Sequence, residues 1–196
     1  MFTSLLSPLI SALSGLAGVI LGAVLTSRNQ RQERIQRFVL DQLTEFYAPM
    51  LGIQERIKGK LRVTTEVADA SQKNWRRSIE EAGPWIENVR ENQSPKLTKI
   101  IEYENQQLKE ELIPLYRQMV DLFTVKMHLT EHSTRQHFAA LVEFVDLWDR
   151  RLRDALPTDP TDVAKLFGAS EKDLEALYKD LEVNFEQLQG TLKRGI

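Results

Sequence analysis

No charged side chain occurs before Arg28, and Arg28, Arg31, Arg34 and Arg37 then follow in quick succession. At about 1.5 Å per helical residue, the charge-free run from Met1 to Ser27 is long enough to cross a hydrocarbon layer about 30 Å thick. The sequence therefore predicts an N-terminal transmembrane helix over residues 1–27. A cleaved signal peptide fits less well. No Lys or Arg precedes the run, and Gly22-Ala23-Val24-Leu25-Thr26-Ser27 is a poor cleavage site. A core helix rarely goes so long without a charge. The arginines then set the orientation, with one span, the N-terminus outside and the bulk of the chain in the cytoplasm.

The faces of that span are unequal. At 100° per residue, Ser4, Ser7, Ser11, Ser14, Gly15, Gly18 and Gly22 share one arc, with Leu5, Leu9, Leu13, Leu16 and Ile20 opposite. Small residues at four-residue spacing (Ser14, Gly18, Gly22) let a second backbone come close, and serine hydroxyls bond across such a contact for about 1 kcal/mol or less. The stripe predicts a homo-oligomer in the lipid bilayer. In it Ser7, Ser11 and Ser14 face a neighbour or the axis of a pore, and Gly18 and Gly22 permit close approach. The plainer reading is that small residues are common in spans and mark no contact.

The chain has 196 residues, a formal net charge of -2 and no Cys. It is not a polyanion binder by composition, and it has no disulfide, thiolate nucleophile or Cys-based zinc site. The boundaries that follow are a transmembrane helix 1–27, a juxtamembrane helix 28–50 and a cytoplasmic helical bundle 51–196. About 170 residues beyond the span are enough for one domain with a real core.

Helical spacing dominates that remainder. Val39, Leu40, Leu43, Phe46, Tyr47 and Met50 form one stripe, which continues the N-terminal rod until Pro49 kinks or breaks it. Ile53, Ile57, Leu61, Thr64 and Val67 form the next. From Asp69 to Ser94 the pattern blurs into two short helices around a Gly83-Pro84 turn. Ser94-Pro95 predicts an N-cap and first-turn proline for a long helix carrying Leu97, Ile101, Leu108, Leu112, Leu115, Met119 and Phe123, kinked at Pro114. Ser133 or Thr134 caps a helix with Phe138, Leu141, Val145 and Trp148, which Pro157 and Asp159-Pro160 stop. A short turn closes at Gly168, and Ser170 with Asp173 resembles a capping box for the last helix, from Leu174 to Leu192. No stretch alternates with period two for long, so the fold class is all-α: an anchor helix followed by an up-and-down bundle, assembled as an oligomer.

Chemistry is sparse. His128-Leu129-Thr130-Glu131-His132 matches H-x-x-E-H, in which two histidines on one helix face hold zinc and the glutamate serves as general base, with Glu143 or Asp146 offered as third ligand. The string falls at a helix end, where such geometry is poorly held, so the expectation is no enzyme, no metal and no cofactor. Phosphate-loop, dinucleotide and nucleophile-elbow motifs are missing. Arg28, Arg31, Arg34 and Arg37 hold the anchor at anionic headgroups, or in an oligomer form a basic collar suited to phosphates. Lys58, Lys60 and Arg62 make a second basic group. Lys73, Arg76 and Arg77 make a third around Trp75, which can stack a base.

The stretch R-I-Q-R-F-V-L-D-Q-L-T-E-F-Y-A-P-M, Arg34 to Met50, resembles a box in small bacterial proteins with one N-terminal span and a helical cytoplasmic part. The layout is similar to membrane effectors of bacterial anti-phage systems, and among them to the membrane effector of the Hailong system. That resemblance implies the inner membrane, a nucleotide or oligonucleotide regulator and a partner enzyme encoded nearby. The function expected is an oligomeric effector that forms or gates an ion-conducting pore. A passive membrane anchor that recruits a cytoplasmic partner is the alternative.

Overall fold

A computed structural model describes residues 26–82, 86–157 and 159–194. Helix α1 is described over 26–41 and passes without a break through Gln42–Tyr47 into α2, Ala48–Ala82. Helix α3 covers Ile86–Gln107 and passes through Leu108–Leu112 into α4, Ile113–Lys126. After a single tight turn, Met127–Leu129, come α5 (His132–Gln136), α6 (Phe138–Leu152) and α7 (Pro160–Arg194). The all-α class stands.

The segments Gln42–Tyr47 and Leu108–Leu112 are wide turns bonded i to i+5, and each lies just ahead of a proline. The Ala48 amide donates to the Leu43 carbonyl, and the Ile113 amide donates to that of Leu108. Proline lacks the amide that would continue an α-helix, and its ring clashes with the preceding turn. Widening the turn accommodates it while both helices run on. The chain therefore does not break at Pro49 or Pro114.

Four elements close a ring. Helix α2 packs on α4, α4 on α6, α6 on α7 and α7 back on α2, an up-down-up-down bundle. Its interior holds Phe46, Tyr47, Met50, Ile57, Met119, Phe123, Leu141, Leu177 and Leu181, all fully buried. Aromatic rings run through it from Phe46 to Phe123 to Phe138, and from Tyr116 through Phe144 and Trp148 to Phe167. The far half of α2 and all of α3 form a hairpin arm, clipped at its root by Lys60 donating to Gln107 and Glu111.

Several sequence expectations are corrected. Residues 69–94 do not form two short helices: α2 runs to Ala82, and α3 has begun by Ile86. The Gly83-Pro84 turn falls outside the described residues. Pro95 sits inside α3 instead of at its start. Thr134 lies inside the short α5, whose N-cap is Glu131, and α6 begins separately at Phe138. Helix α7 does not wait for Ser170. Asp159 accepts the Thr161 amide at 2.8 Å and Pro160 occupies the first turn, so the helix starts there. Gly168 is interior, because one helical glycine costs only about 1 kcal/mol.

The single-span architecture is also corrected. Among the described residues no helix is long and apolar enough to cross a membrane. The long helices α2, α3 and α7 carry charges every few residues, as the surface of a water-facing bundle requires. Of the expected span, residues 1–25 lie outside the described residues, and with them Ser7, Ser11, Ser14, Gly18 and Gly22. The bilayer, the inner-membrane location, the N-out topology and the pore all rested on that span and fall with it, as does the membrane-anchor alternative. The homo-oligomer, expected to associate through the serine–glycine stripe and the helical bundle together, is corrected with the span: the stripe lies outside the described residues, and the bundle's apolar stripes pack within one chain. What the structure supports is an all-α helical bundle.

Candidate functional site

The H-x-x-E-H string is split. His128 lies in the tight turn Met127–Leu129, Thr130 and Glu131 are extended (ψ 140° and 156°), and His132 opens α5. The two histidines therefore share no helix face. Among the described residues no group of three His, Cys, Asp or Glu could hold a metal ion.

This break is instead held by a buried polar clasp. Gln42 donates to the Leu129 carbonyl and to Glu131 Oε1, both at 2.9 Å. Tyr47 Oη accepts the Glu131 amide at 3.0 Å. Gln42 and Tyr47 are five residues apart, about 140° apart round an α-helix. In the wide turn, where residues five apart are bonded neighbours, both reach the same corner. Thr134 Oγ1 donates to Asp180 Oδ2 at 2.5 Å, which leaves Tyr47 as donor in the 2.9 Å bond between the two hydroxyls. Asn184 Nδ2 reaches Thr134, Ser133 and Asp180 at 2.9–3.0 Å. Burial pushes the Tyr47 phenol above its ordinary pKa. Thr134 is fully buried, with both its accepting and its donating capacity used, so this cluster is cohesion and not a site for substrate.

The basic groups are not brought together. Arg28, Arg31, Arg34 and Arg37 are exposed and spread over about half the circumference of α1. Lys73, Arg76 and Arg77 are exposed far along α2. About 36 residues of continuous helix put the two groups roughly 50 Å apart. The two groups therefore do not form one site within a single chain, and the nucleotide regulator is corrected with the effector resemblance that implied it. Of the second basic group, Lys58 pairs with Glu55 and Glu182, and Lys60 pairs with Glu111.

What the fold does assemble is a cleft between α6 and α7, closed at one end by the connector. Helix α6 ends with the Ala155 amide on the Arg150 carbonyl (2.8 Å) and the Asp154 amide on that of Arg151 (3.3 Å). Asp154 sits at φ 53°, a left-handed position that Asp tolerates better than most residues. This reversal carries Ala155, Leu156 and Pro157 over a cavity of about 420 Å³. Leu147, Leu166 and Ala169 add apolar wall, and Glu143, Asp146 and Asp173 place three carboxylates against one guanidinium, Arg150. Arg150 is already bonded to Asp146 at 2.7 Å. The Ser170 hydroxyl, also in the lining, is buried without a hydrogen-bond partner.

Sequence reasoning had noticed four of these residues in other roles: Glu143 and Asp146 as alternative zinc ligands, Ser170 and Asp173 as a cap. Their convergence depends on the antiparallel register of α6 and α7, and no local spacing carries that. No protein-family model, curated protein or solved structure matches this chain. The likenesses to single-span bacterial proteins and to anti-phage membrane effectors are corrected with the span. The box Arg34 to Met50 has a plainer account, since Val39, Leu43, Phe46, Tyr47 and Met50 are core residues of the bundle.

Proposed function

We propose that this chain is a non-catalytic binding protein whose α6–α7 cleft takes a small cationic amphiphile. The observation that carries the reading is the cavity itself: apolar walls, an excess of carboxylate and a buried hydroxyl with no partner. Ligand pockets of a few hundred Å³ with apolar walls and a few convergent polar groups are the usual form of a small-molecule site. An ammonium group near Glu143 and Asp173 would be held by charge, with its carbon chain against Leu147, Leu156 and Leu166. The non-catalytic part is supported by the split of the one catalytic-looking string and by the saturation of the Tyr47–Thr134–Asp180 cluster.

Hexylammonium, with hexanoate as the control of opposite charge, tests this in thermal unfolding. At about 100 times Kd, a ligand specific for the folded state adds about 2.7 kcal/mol. In a chain this size that is a Tm rise of about 5–10 °C. The rise should vanish in the double variant Glu143→Gln, Asp173→Asn. Equal shifts from both probes, or a shift that the variant keeps, reject the reading.

A further inference from the structure

The rings of Trp148 and Phe167 meet edge to face, their centroids 4.7 Å apart, and this contact sets the register of α6 against α7. Glu143 lies five residues before Trp148, and Asp173 lies six after Phe167. In antiparallel helices those steps run the same way, about 7.5 Å and about 9 Å along the pair. The two carboxylates therefore stand at nearly one height, one on each wall of the cleft. Ser170 is one turn from Asp173 on the same face of α7, about 4.5 Å along from Phe167. Arg150 lies toward the connector, and its Nε already donates to Asp146. Among the described residues Glu143 and Asp173 make no ion pair. The Ser170 hydroxyl is buried in the same lining without a partner.

Three acceptor groups from two helices thus share one end of the cavity. A primary ammonium has three N–H donors and no acceptor, one donor for each group. A quaternary ammonium carries the same charge and offers no N–H. Charge alone does not separate the two. The hydroxyl does, because a ligand that donates to it satisfies a buried polar group, and a ligand that cannot leaves its desolvation cost standing.

We propose that the α6–α7 cleft selects unbranched primary amines, whose N–H groups donate to Glu143, Asp173 and Ser170 Oγ while the alkyl chain runs toward Leu147, Leu166 and the connector. The selectivity rests on the cleft holding a cation, as proposed above, and narrows that cation to one with an –NH3+ head.

Calorimetric titration with hexylammonium and hexyltrimethylammonium tests it. Hexylammonium should bind at least about tenfold tighter, the worth of one hydrogen bond from a charged donor. Ser170→Ala should weaken hexylammonium about tenfold and leave hexyltrimethylammonium unchanged. Alanine favours the helix, so far-UV circular dichroism of the variant should match that of the parent. Equal binding of both probes, or a Ser170→Ala change that weakens both alike or neither, overturns the selectivity while the cation cleft stands. Failure of both probes to bind overturns the cleft and the selectivity together.

Discussion

Tyr47 shows how one hydroxyl fixes a backbone break. Its oxygen accepts the Glu131 amide and its proton goes to Thr134, so a single atom joins the first helical run to the corner before α5. Removing it leaves the partly buried Glu131 amide without this acceptor, while the Thr134 hydroxyl keeps Asp180 and Asn184. An unsatisfied buried polar group costs about 1–3 kcal/mol. Tyr47→Phe is therefore expected to lower the stability measured by urea unfolding by about that much, with the m-value unchanged. A change under about 0.5 kcal/mol would mean that water replaces the phenol, and the clasp would then not be what holds the corner. Asp154 makes the complementary point: a left-handed residue ends α6 and turns the chain so that Leu156 and Pro157 roof the cleft.

At the scale of elements, prolines and glycines proved weaker stops than their reputation suggests. Pro49 and Pro114 are absorbed by wide turns, and Gly168 is carried inside a 35-residue helix. The start of α7 is instead decided by the Asp159 cap with Pro160 behind it. A Cβ at Gly168 would meet nothing within 4 Å. Gly168→Ala should then raise stability by about 1 kcal/mol, the helix-propensity difference with no packing cost. A lower unfolding midpoint for this variant would show that the glycine serves a conformation other than the straight helix. Periodicity located the helices well. Their joins were harder to see, because capping, turn widening and proline accommodation depend on neighbours in space.

At the scale of the whole molecule, three tyrosines couple the fold to alkaline pH. Burial pushes the phenols of Tyr47, Tyr116 and Tyr178 above the ordinary value of about 10. Tyr178, whose hydroxyl lies near that of Tyr116 without meeting hydrogen-bond geometry, is raised most. Below about pH 10 both folded and unfolded chains keep these protons, and the tyrosines are neutral in the balance. Above it the unfolded chain ionises while the folded chain still holds its protons. The unfolded state then binds fewer protons, and stability falls as pH rises. Urea midpoints should therefore drop between about pH 9 and about pH 11, and in a Tyr103→Phe background, which removes the one exposed tyrosine (62%), phenolate absorbance should rise only on unfolding. Phenolate formation in that folded variant at unchanged midpoint would contradict this.

The sequence by itself determined the all-α class and most of the core, because apolar spacing of three and four residues is a property of the chain before it folds. Val39, Leu43, Phe46, Met50, Leu115, Met119, Phe123, Leu141, Leu174, Leu177 and Leu181 are buried as that spacing predicts. The same rule overreached where a stripe outlasts its partner: Leu40, Leu61, Val67 and Ile101 keep the spacing and stay exposed. The apolar N-terminal run led to a membrane reading that no described helix bears. Only the tertiary structure decided which helices meet, and so which polar groups converge. The α6–α7 register gathers Glu143, Asp146, Asp173 and Ser170 around one cavity, and the wide turn brings Gln42 and Tyr47 to one corner. Periodicity fixes a residue's angle on its own helix, whereas a site requires the angle and height of a second helix, which packing alone sets.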